Sequence, residues 1–187
     1  MSETPIRHRE DCRLCGAVDL ESVLSLSPTP PANALVTAPG LPQERFPLEL
    51  RQCRACGHVQ LGVVIDPTVL FAEYPYVSGT SPVFVQHFEA YATDLIARYR
   101  IPLNAPIIDI GSNDGTLLRI FQDRHYNVLG IEPARTIALA AANSGVNTIN
   151  AFFTAELADS LLEQRGPVVL ITANNVFAHC DDLHDFM

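Results

Sequence analysis

Hydrophobic and polar positions in the second half of this chain alternate in short blocks. Apolar runs flanked by turn residues predict strands, and longer segments with apolar residues three and four apart predict helices. Because strands that alternate with helices through short connections form βαβ units, the pattern predicts an α/β fold with a parallel sheet. The predicted strands are 107–110, 128–132, 146–153 and 168–173, and the predicted helices are 116–124, 135–144 and 155–164.

The first half follows a different pattern. Residues 83–99 space their aromatic and aliphatic side chains as an amphipathic helix, and Pro102 ends it. Residues 61–81 are short apolar pieces broken by proline and glycine, which predicts an ordered linker. The proline-rich stretch 28–47 is expected to be loop. We therefore expect a small N-terminal domain with its linker over residues 1–80 and a second domain over residues 81–187.

The end of the chain predicts an incomplete second domain. Residues 181–187 resemble the opening of a helix without a stop signal. The fourth predicted strand would remain as a bare apolar edge, which native proteins avoid. We therefore expect a sheet of about four strands that belongs to a longer protein, although a short natural chain with a frayed end is the alternative.

The charge of the chain disfavours two classes of partner. Against 12 Lys and Arg residues stand 21 Asp and Glu residues, a formal net charge of -9. Nucleic acid and anionic membrane both select a basic surface, so neither is an expected partner. No apolar run is long enough to span a membrane and no signal peptide opens the sequence, which favours a cytoplasmic protein. In that reducing compartment, paired cysteines favour metal binding over disulfides.

Two copies of a Cys-x-x-Cys-Gly motif predict a zinc site. Cys12 and Cys15 form the first pair, and Cys53 and Cys56 form the second. Four thiolates complete a tetrahedral shell and leave no position for water or substrate, so the expected Zn²⁺ is structural. The alternative, two redox dithiols, requires a thioredoxin-like strand and helix around each pair.

The segment IIDIGSNDG, residues 107–115, predicts a cofactor loop between a strand and a helix. Asn113 occupies the slot of a second glycine and Asp109 would repel phosphate, so a dinucleotide fits poorly. S-adenosylmethionine fits better, because Asp109 can receive its amino group and helix N–H groups can hold its carboxylate. Gly111, Asn113 and Gly115 are the loop residues expected to bind this cofactor. Glu132 ends the next strand, where it can accept both ribose hydroxyls. The alternative is a capped turn with an exposed glutamate.

Three further residues lie near the predicted carboxyl edge of the sheet. Phe153 either borders the adenine or belongs to the core. Asn174 follows the fourth strand, at the edge where ligands of open α/β sheets bind. His179 comes shortly after it, and its role from sequence is equally structural or catalytic.

Together these features resemble the sugar C-methyltransferases that act on nucleotide-linked 4-keto deoxysugars. The resemblance implies a zinc-binding N-terminal domain, a Rossmann-like S-adenosylmethionine-binding domain, and a further C-terminal domain that carries the general base. It also implies that Tyr76 and His179 lie near the sugar and that the Asn174 backbone faces the methionine amine. The matching segments are CRLCG (12–16), PAN (31–33), CRACGHVQL (53–61), YPYVSGTS (74–81), DIGSNDGTLL (109–118), GIEPA (130–134) and ANNVFAHCDDLHDF (173–186).

This resemblance leaves specific expectations. No segment here matches the part of the family that carries the base, so the chain is expected to bind S-adenosylmethionine without methylating a nucleotide sugar alone. Methylation of another small acceptor remains open, because cofactor motifs do not name the acceptor. A zinc ribbon joined to a cofactor-binding interaction module without catalysis also remains open. The sequence does not assign an oligomeric state.

Overall fold

A computed structural model describes residues 6–187, which divide into two units. The first unit holds the chain up to Ala72 together with Asp181–His184, and the second holds Glu73–Cys180 and Asp185–Met187. The polypeptide therefore leaves the second unit after Cys180 and returns to it at Asp185. Residues 73–80, which the sequence analysis grouped with the N-terminal domain, belong by their contacts to the second unit.

Over the described residues 6–72, the first unit contains two small antiparallel sheets and one short helix. Strand β1 pairs with β5, and the order of the second sheet is β2-β3-β4. Asp66 caps the short helix α1 by accepting a hydrogen bond from the Thr68 backbone N–H. The elements are β1 (Ile6–His8), β2 (Leu20–Thr29), β3 (Phe46–Cys53), β4 (Val59–Leu61), β5 (Val63–Ile65) and α1 (Pro67–Phe71).

Strands extend into the stretch that was predicted to be loop. β2 includes Pro28 and β3 includes Pro47, so the connection between the two strands covers only residues 30–45. The pairing register shifts between Leu26 and Thr29, beside both prolines. A bulge of this kind relieves a proline of donating a ladder hydrogen bond. The prediction of loop was therefore wrong at both ends of the stretch.

The three-stranded sheet exposes its apolar face and covers its polar face. Leu50 pairs with Leu24 on one side and with Leu61 on the other, so the three side chains lie on the same face of the sheet. Leu24 is 46% exposed. On the other face Gln60 is 4% exposed. Its side chain accepts a hydrogen bond from the Arg13 N–H at 2.9 Å and donates one to the Asp11 carbonyl at 2.8 Å. The polar face thus holds the segment that carries the first cysteine pair.

Asp181 is the centre of an ion-pair cluster in the first unit. Its carboxylate lies 2.9 Å from the Arg9 guanidinium and 3.0 Å from that of Arg13, and it also pairs with Arg7. The side chains of Arg9 and Arg13 are only 14% and 11% exposed. One carboxylate from late in the chain therefore compensates guanidinium groups from its beginning.

Helix α2 (Pro82–Tyr99) precedes the sheet of the second unit. Ser81 caps it by accepting a hydrogen bond from the Phe84 N–H, and proline occupies its first turn, where no N–H is needed. Arg100 ends it in the left-handed conformation. The helix that the sequence predicted over residues 83–99 is therefore confirmed, and its apolar face buries Phe88 and Leu95.

The second unit has a four-stranded parallel sheet of order β8-β7-β6-β9. Ile107 of the central strand packs with α2 and α3, and its neighbour Ile108 packs with Leu161 of α5. Helices thus cover both faces, so the predicted α/β fold with a four-stranded parallel sheet is confirmed. The elements are β6 (Pro106–Ile110), α3 (Thr116–Asp123), β7 (Asn127–Ile131), α4 (Arg135–Asn143), β8 (Thr148–Ile149), α5 (Ala155–Arg165) and β9 (Leu170–Thr172). The last helix, α6 (Leu183–Phe186), begins in the first unit and ends in the second.

Two predicted elements near the end of the chain are shorter than expected. The third strand pairs only at Thr148 and Ile149, and the last helix, α6, has four residues. The ring of Phe186 packs 5.2 Å from that of Phe153, measured between centroids. Within residues 6–187, no helix has the length and apolar character needed to cross a lipid bilayer.

Candidate functional site

The glycine-rich loop, residues 111–115, joins β6 to α3 in a conformation that requires glycine. Gly111 has a φ of 67° and donates its N–H to the Ile131 carbonyl at 2.8 Å. A Cβ atom at Gly111 would lie 2.4 Å from Cγ2 of Val176. Gly115 has a φ of 76°, and its Cβ would crowd Val146 at 3.0 Å. The two glycines let the backbone turn sharply at the carboxyl end of the central strand.

Asp109 is a buried carboxylate on β6, two residues before the loop. Its neighbour across the sheet is Thr172, whose hydroxyl donates a hydrogen bond of 2.6 Å to Asp109 Oδ1. Burial raises the pKa of Asp109 to about 7, the charge of Glu132 acts in the same direction, and the Thr172 hydrogen bond opposes both. Asp109 is thus a carboxylate that a cationic partner would stabilise in its ionised form.

Glu132 follows β7 and is also buried. Its Oε2 accepts the Asn113 N–H at 2.8 Å, and its Oε1 accepts the Ala134 N–H at 2.8 Å. Burial raises its pKa, and the two backbone hydrogen bonds lower it. A carboxylate offers about four lone-pair sites, so both oxygens keep capacity for further donors.

The Asn113 side chain holds a backbone segment of the second unit. Its Oδ1 accepts the Ser78 N–H at 2.9 Å, and its Nδ2 donates to the Tyr76 carbonyl at 2.9 Å. Asn113 itself has a left-handed φ of 52°. The amide group of this predicted cofactor residue is therefore engaged with residues 76–78.

A second contact fastens the same segment to the loop. The Gly79 N–H donates to Asp114 Oδ2 at 2.9 Å, while Asp114 Oδ1 accepts the Thr116 hydroxyl at 2.7 Å. A Cβ atom at Gly79 would lie 2.6 Å from Asp114 Oδ2 and 2.8 Å from Thr116 Oγ1. The backbone of the 74–81 segment thus approaches the loop as closely as glycine permits.

The remaining predicted residues occupy different parts of the second unit. Tyr76 leaves its ring half-exposed, and His179 is an exposed residue of a short 3₁₀ helix after β9. Phe153 packs with the apolar cluster under α5. Asn174 follows β9, and its Nδ2 atom is buried without a hydrogen-bond partner among the described residues. Asp109, Glu132 and the glycine-rich loop, by contrast, lie together at the carboxyl ends of two adjacent strands, β6 and β7.

Tyr91 is a residue near the site that sequence reasoning missed. It lies on α2, where the spacing indicated only an apolar helix face. Burial raises the pKa of its hydroxyl, the negative charge of Asp109 raises it further, and an interaction with the Asn174 side chain lowers it. A hydroxyl on an otherwise apolar face was the available signal.

The four predicted zinc ligands lie together in the first unit. The sulfur atoms of Cys12, Cys15, Cys53 and Cys56 are all within 4.8 Å of one another. The Cys12–Cys56 and Cys15–Cys53 pairs are both separated by 3.7 Å. Zn–S bonds of about 2.3 Å in a tetrahedron place sulfur atoms about 3.8 Å apart, so the donor set fits Zn²⁺. These distances are too long for disulfides.

The backbone around each cysteine pair prepares the site for metal. The Gly16 N–H donates to the Cys12 carbonyl at 2.9 Å, and the Gly57 N–H donates to the Cys53 carbonyl at 2.8 Å. Both glycines have left-handed φ angles, of 73° and 78°. Burial raises the pKa of the Cys12 thiol, but hydrogen bonds from neighbouring backbone groups outweigh it and lower the pKa to about 7. By contrast, the backbone hydrogen bond at His58 lowers the pKa of Cys56, but hydrogen bonds with the other cysteine side chains outweigh it and raise this pKa to about 12.

Comparisons with known families match both units. Residues 12–71 match the family described as "Putative zinc binding domain", and residues 84–187 match the family described as "Methyltransferase domain". The chain is 33% identical over 186 residues to C-methyltransferase NovU from Streptomyces niveus. That similarity covers 97% of this chain and 44% of NovU, so the chain spans less than half the length of this relative.

Solved methyltransferases share less with the chain. The plantazolicin methyltransferase BpumL, in a complex with SAH, is 14% identical, with a TM-score of 0.44 over 56% of this chain and 40% of BpumL. Magnesium protoporphyrin IX methyltransferase from Synechocystis, with bound SAM, is 14% identical, with a TM-score of 0.39 over 51% of this chain and 46% of its own.

The family matches agree with the two sites described above. The match over residues 84–187 covers the glycine-rich loop, Asp109 and Glu132, and the match over residues 12–71 covers all four clustered cysteines. This chain therefore belongs to a methyltransferase family and carries a zinc-binding domain ahead of its methyltransferase domain.

Proposed function

We propose that this chain binds S-adenosylmethionine and forms the methyl-donor part of a C-methyltransferase for a nucleotide-linked 4-keto deoxysugar. The observation that carries the proposal is the convergence of Asp109, the glycine-rich loop and Glu132 at one edge of the parallel sheet. The acceptor class is supported by the sequence resemblance to sugar C-methyltransferases and by the similarity to C-methyltransferase NovU.

The residues of this edge suit a ligand with an ammonium group, a carboxylate and a ribose. Asp109 has its pKa raised by burial and lacks a cationic partner among the ion pairs of the described residues, so an ammonium group would stabilise its ionised form. Glu132 keeps acceptor capacity for hydroxyl groups. The buried side chain of Asn174, beside the Tyr91 hydroxyl, offers a further donor.

When bound, S-adenosylmethionine supplies an electrophilic methyl group. The contribution of this chain is to hold that donor: Asp109 and Glu132 orient it, and the glycine-rich loop allows close approach of the backbone. Tyr76 and His179 are proposed to contact the acceptor sugar. The general base is proposed to lie outside residues 1–187, in a region that corresponds to the unmatched part of NovU.

We also propose that the four cysteines bind one structural Zn²⁺ ion. The tetrahedral spacing of their sulfur atoms supports this assignment, and a reducing cytoplasmic setting would keep the thiols available for metal. Closed sites of this kind contribute folding free energy and no chemistry.

Calorimetric titration with S-adenosylmethionine tests donor binding. Wild type is expected to bind, and Asp109→Asn is expected to lose at least about tenfold in affinity, because a charge-assisted hydrogen bond to the amino group contributes about 1.5–3 kcal/mol. Asp94→Asn is the matched control, since Asp94 is an exposed residue of α2 paired with Arg98. Absence of binding by wild type would overturn the proposal.

The acceptor is tested separately, on the whole protein. We expect mass spectrometry to detect methyl transfer to a nucleotide-linked 4-keto deoxysugar and none to the corresponding 4-hydroxy sugar, which cannot form an enolate. Methylation of the 4-hydroxy sugar would contradict the acceptor class. Turnover by residues 1–187 alone would show that this chain supplies the base.

A further inference from the structure

We propose that Asn113 is a positioning residue that couples the occupancy of the cofactor site to the 74–81 segment. This inference rests on the proposed function, because it requires a ligand on Glu132. In this proposal the Asn113 side chain does not contact the cofactor. It links the glycine-rich loop to the backbone of residues 76–78.

A continuous path of hydrogen bonds carries the inference. The Glu132 carboxylate accepts the Asn113 backbone N–H at 2.8 Å. The Asn113 side chain then accepts the Ser78 N–H and donates to the Tyr76 carbonyl, each at 2.9 Å. One residue therefore lies between the carboxylate proposed to hold the ribose and the backbone beside the Tyr76 ring.

Two of the attachments of the segment are to adjacent residues of the glycine-rich loop. Tyr76 leaves its ring half-exposed, and the short 3₁₀ turn that follows, Ser78–Thr80, buries only Ser78. The Gly79 N–H contact with Asp114 is the second attachment to the loop. Because the backbone of Tyr76, Ser78 and Gly79 is hydrogen-bonded to two adjacent loop residues, the position of this backbone depends on the conformation of the loop.

Ligand binding would restrict that loop through Glu132. Hydroxyl groups of the ligand that donate to the Glu132 carboxylate would fix its orientation. The Asn113 N–H would then be fixed as well, because it donates to the Oε2 atom of the same carboxylate. Asn113 adopts a left-handed φ of 52°, and for a residue with a side chain this conformational region is small. A bound donor therefore stabilises the 76–78 backbone, and this predicts an ordered reaction in which the donor binds before the acceptor.

Chymotrypsin cleavage after Tyr76 measures the release of this segment. The Tyr76–Val77 bond is a substrate for the protease, whereas the Tyr74–Pro75 bond is resistant because proline follows the tyrosine. When opening is fast, the cleavage rate tracks the population of the open segment. Mass spectrometry of the fragments 1–76 and 77–187 reports that single event.

Asn113→Gly is the decisive variant, because glycine keeps the left-handed backbone and the N–H to Glu132 while removing both side-chain hydrogen bonds. Without ligand we expect cleavage about 5- to 10-fold faster than in wild type, as follows from losing contacts of about 1 kcal/mol. Saturating S-adenosylmethionine is expected to slow cleavage of wild type several-fold and to slow cleavage of Asn113→Gly much less, because only the Gly79–Asp114 attachment remains. Asn104→Gly is the matched control, since Asn104 also has a left-handed φ, of 61°, in an exposed turn.

Calorimetry on the same samples separates the possible failures. If wild type does not bind S-adenosylmethionine, both the proposed function and this inference are overturned. If wild type and Asn113→Gly bind and are protected equally, only the coupling is overturned. Ser78→Pro removes the N–H donor from the other side, and it is expected to lose most of the ligand-dependent protection, as Asn113→Gly does. Full protection of this variant by the ligand would contradict the coupling.

Discussion

The Thr172 hydroxyl donates a 2.6 Å hydrogen bond to Asp109 Oδ1 across two adjacent parallel strands. This bond is the favourable contribution to an otherwise costly buried carboxylate, whose pKa burial raises to about 7. Asp109 therefore destabilises the ligand-free fold at neutral pH. A residue that weakens the fold in this way is typical of a binding site.

The first prediction is that Asp109→Asn stabilises the ligand-free protein at pH 8. The sign follows from the pKa, because a carboxyl group whose pKa is raised on folding loses stability as the pH rises from its unfolded to its folded value. Asparagine is neutral at every pH and keeps an oxygen for the Thr172 hydroxyl. Urea unfolding should show the advantage over wild type shrinking by roughly 1.4 kcal/mol per unit as the pH falls from 7 to 5.

A pH-independent difference between Asp109→Asn and wild type would contradict the raised pKa of Asp109. Asp94→Asn serves as the control, because Asp94 lies exposed on α2.

Replacing Thr172 with valine should move the pH dependence of donor binding. Valine has a similar shape and removes the hydrogen bond that lowers the pKa of Asp109. The Asp109 carboxyl group would then have a higher pKa and become protonated at a higher pH. As the pH is lowered, the affinity for S-adenosylmethionine measured by calorimetry should therefore begin to decrease at a higher pH than in wild type. Thr93→Val is the control, since the Thr93 hydroxyl bonds only its own helix, at the Glu89 carbonyl. Identical pH profiles for Thr172→Val and wild type would contradict this role for Thr172.

Glu132→Gln should destabilise the second unit even without ligand. One oxygen of Glu132 accepts the Asn113 N–H and the other accepts the Ala134 N–H, so a glutamine must direct its NH₂ group at one of these donors. We expect a loss of about 1–3 kcal/mol in the free energy of unfolding. Thermal or urea unfolding measures it against Glu163→Gln on the exposed face of α5. Equal stability of the two variants would show that the Glu132 carboxylate does not stabilise the loop.

Metal removal should affect the first unit through Cys53, which is fully buried. Elemental analysis is expected to find one zinc ion per chain, and Cys53→Ser is expected to lose it and to lower the melting temperature. Cys180→Ser is the matched control, because Cys180 lies in the second unit, outside the four-sulfur cluster. Full zinc content in Cys53→Ser would disprove the assigned ligand set.

Sequence reasoning succeeded where chemistry depends on local spacing. The turn after each cysteine pair, and the positions of Asp109 and Glu132 at the ends of successive strands, follow from short motifs and from the geometry of parallel sheets. The sharp turn at Gly111 was likewise predicted by the glycine-rich motif between the strand and the helix.

Sequence reasoning failed where a contact joins distant parts of the chain. The contact of the Asn113 amide with the backbone of Tyr76, 37 positions earlier, was not predicted because no local pattern indicates it. Tyr91 was assigned to an apolar helix face because periodicity does not distinguish a hydroxyl near Asp109 from a core aromatic. The strands through Pro28 and Pro47 were missed because a bulge allowed pairing that proline otherwise prevents.

The position of Asp181 limits how the zinc-binding domain can be separated from the rest of the protein. A polypeptide cut at Ala72 would retain all four cysteines and still lack the carboxylate that pairs with Arg9 and Arg13. Removing one partner of a largely buried ion pair costs about 3–5 kcal/mol, which is comparable to the whole stability of a domain this small. An independently folding zinc domain therefore needs either residues 181–184 grafted back or neutral replacements for both arginines.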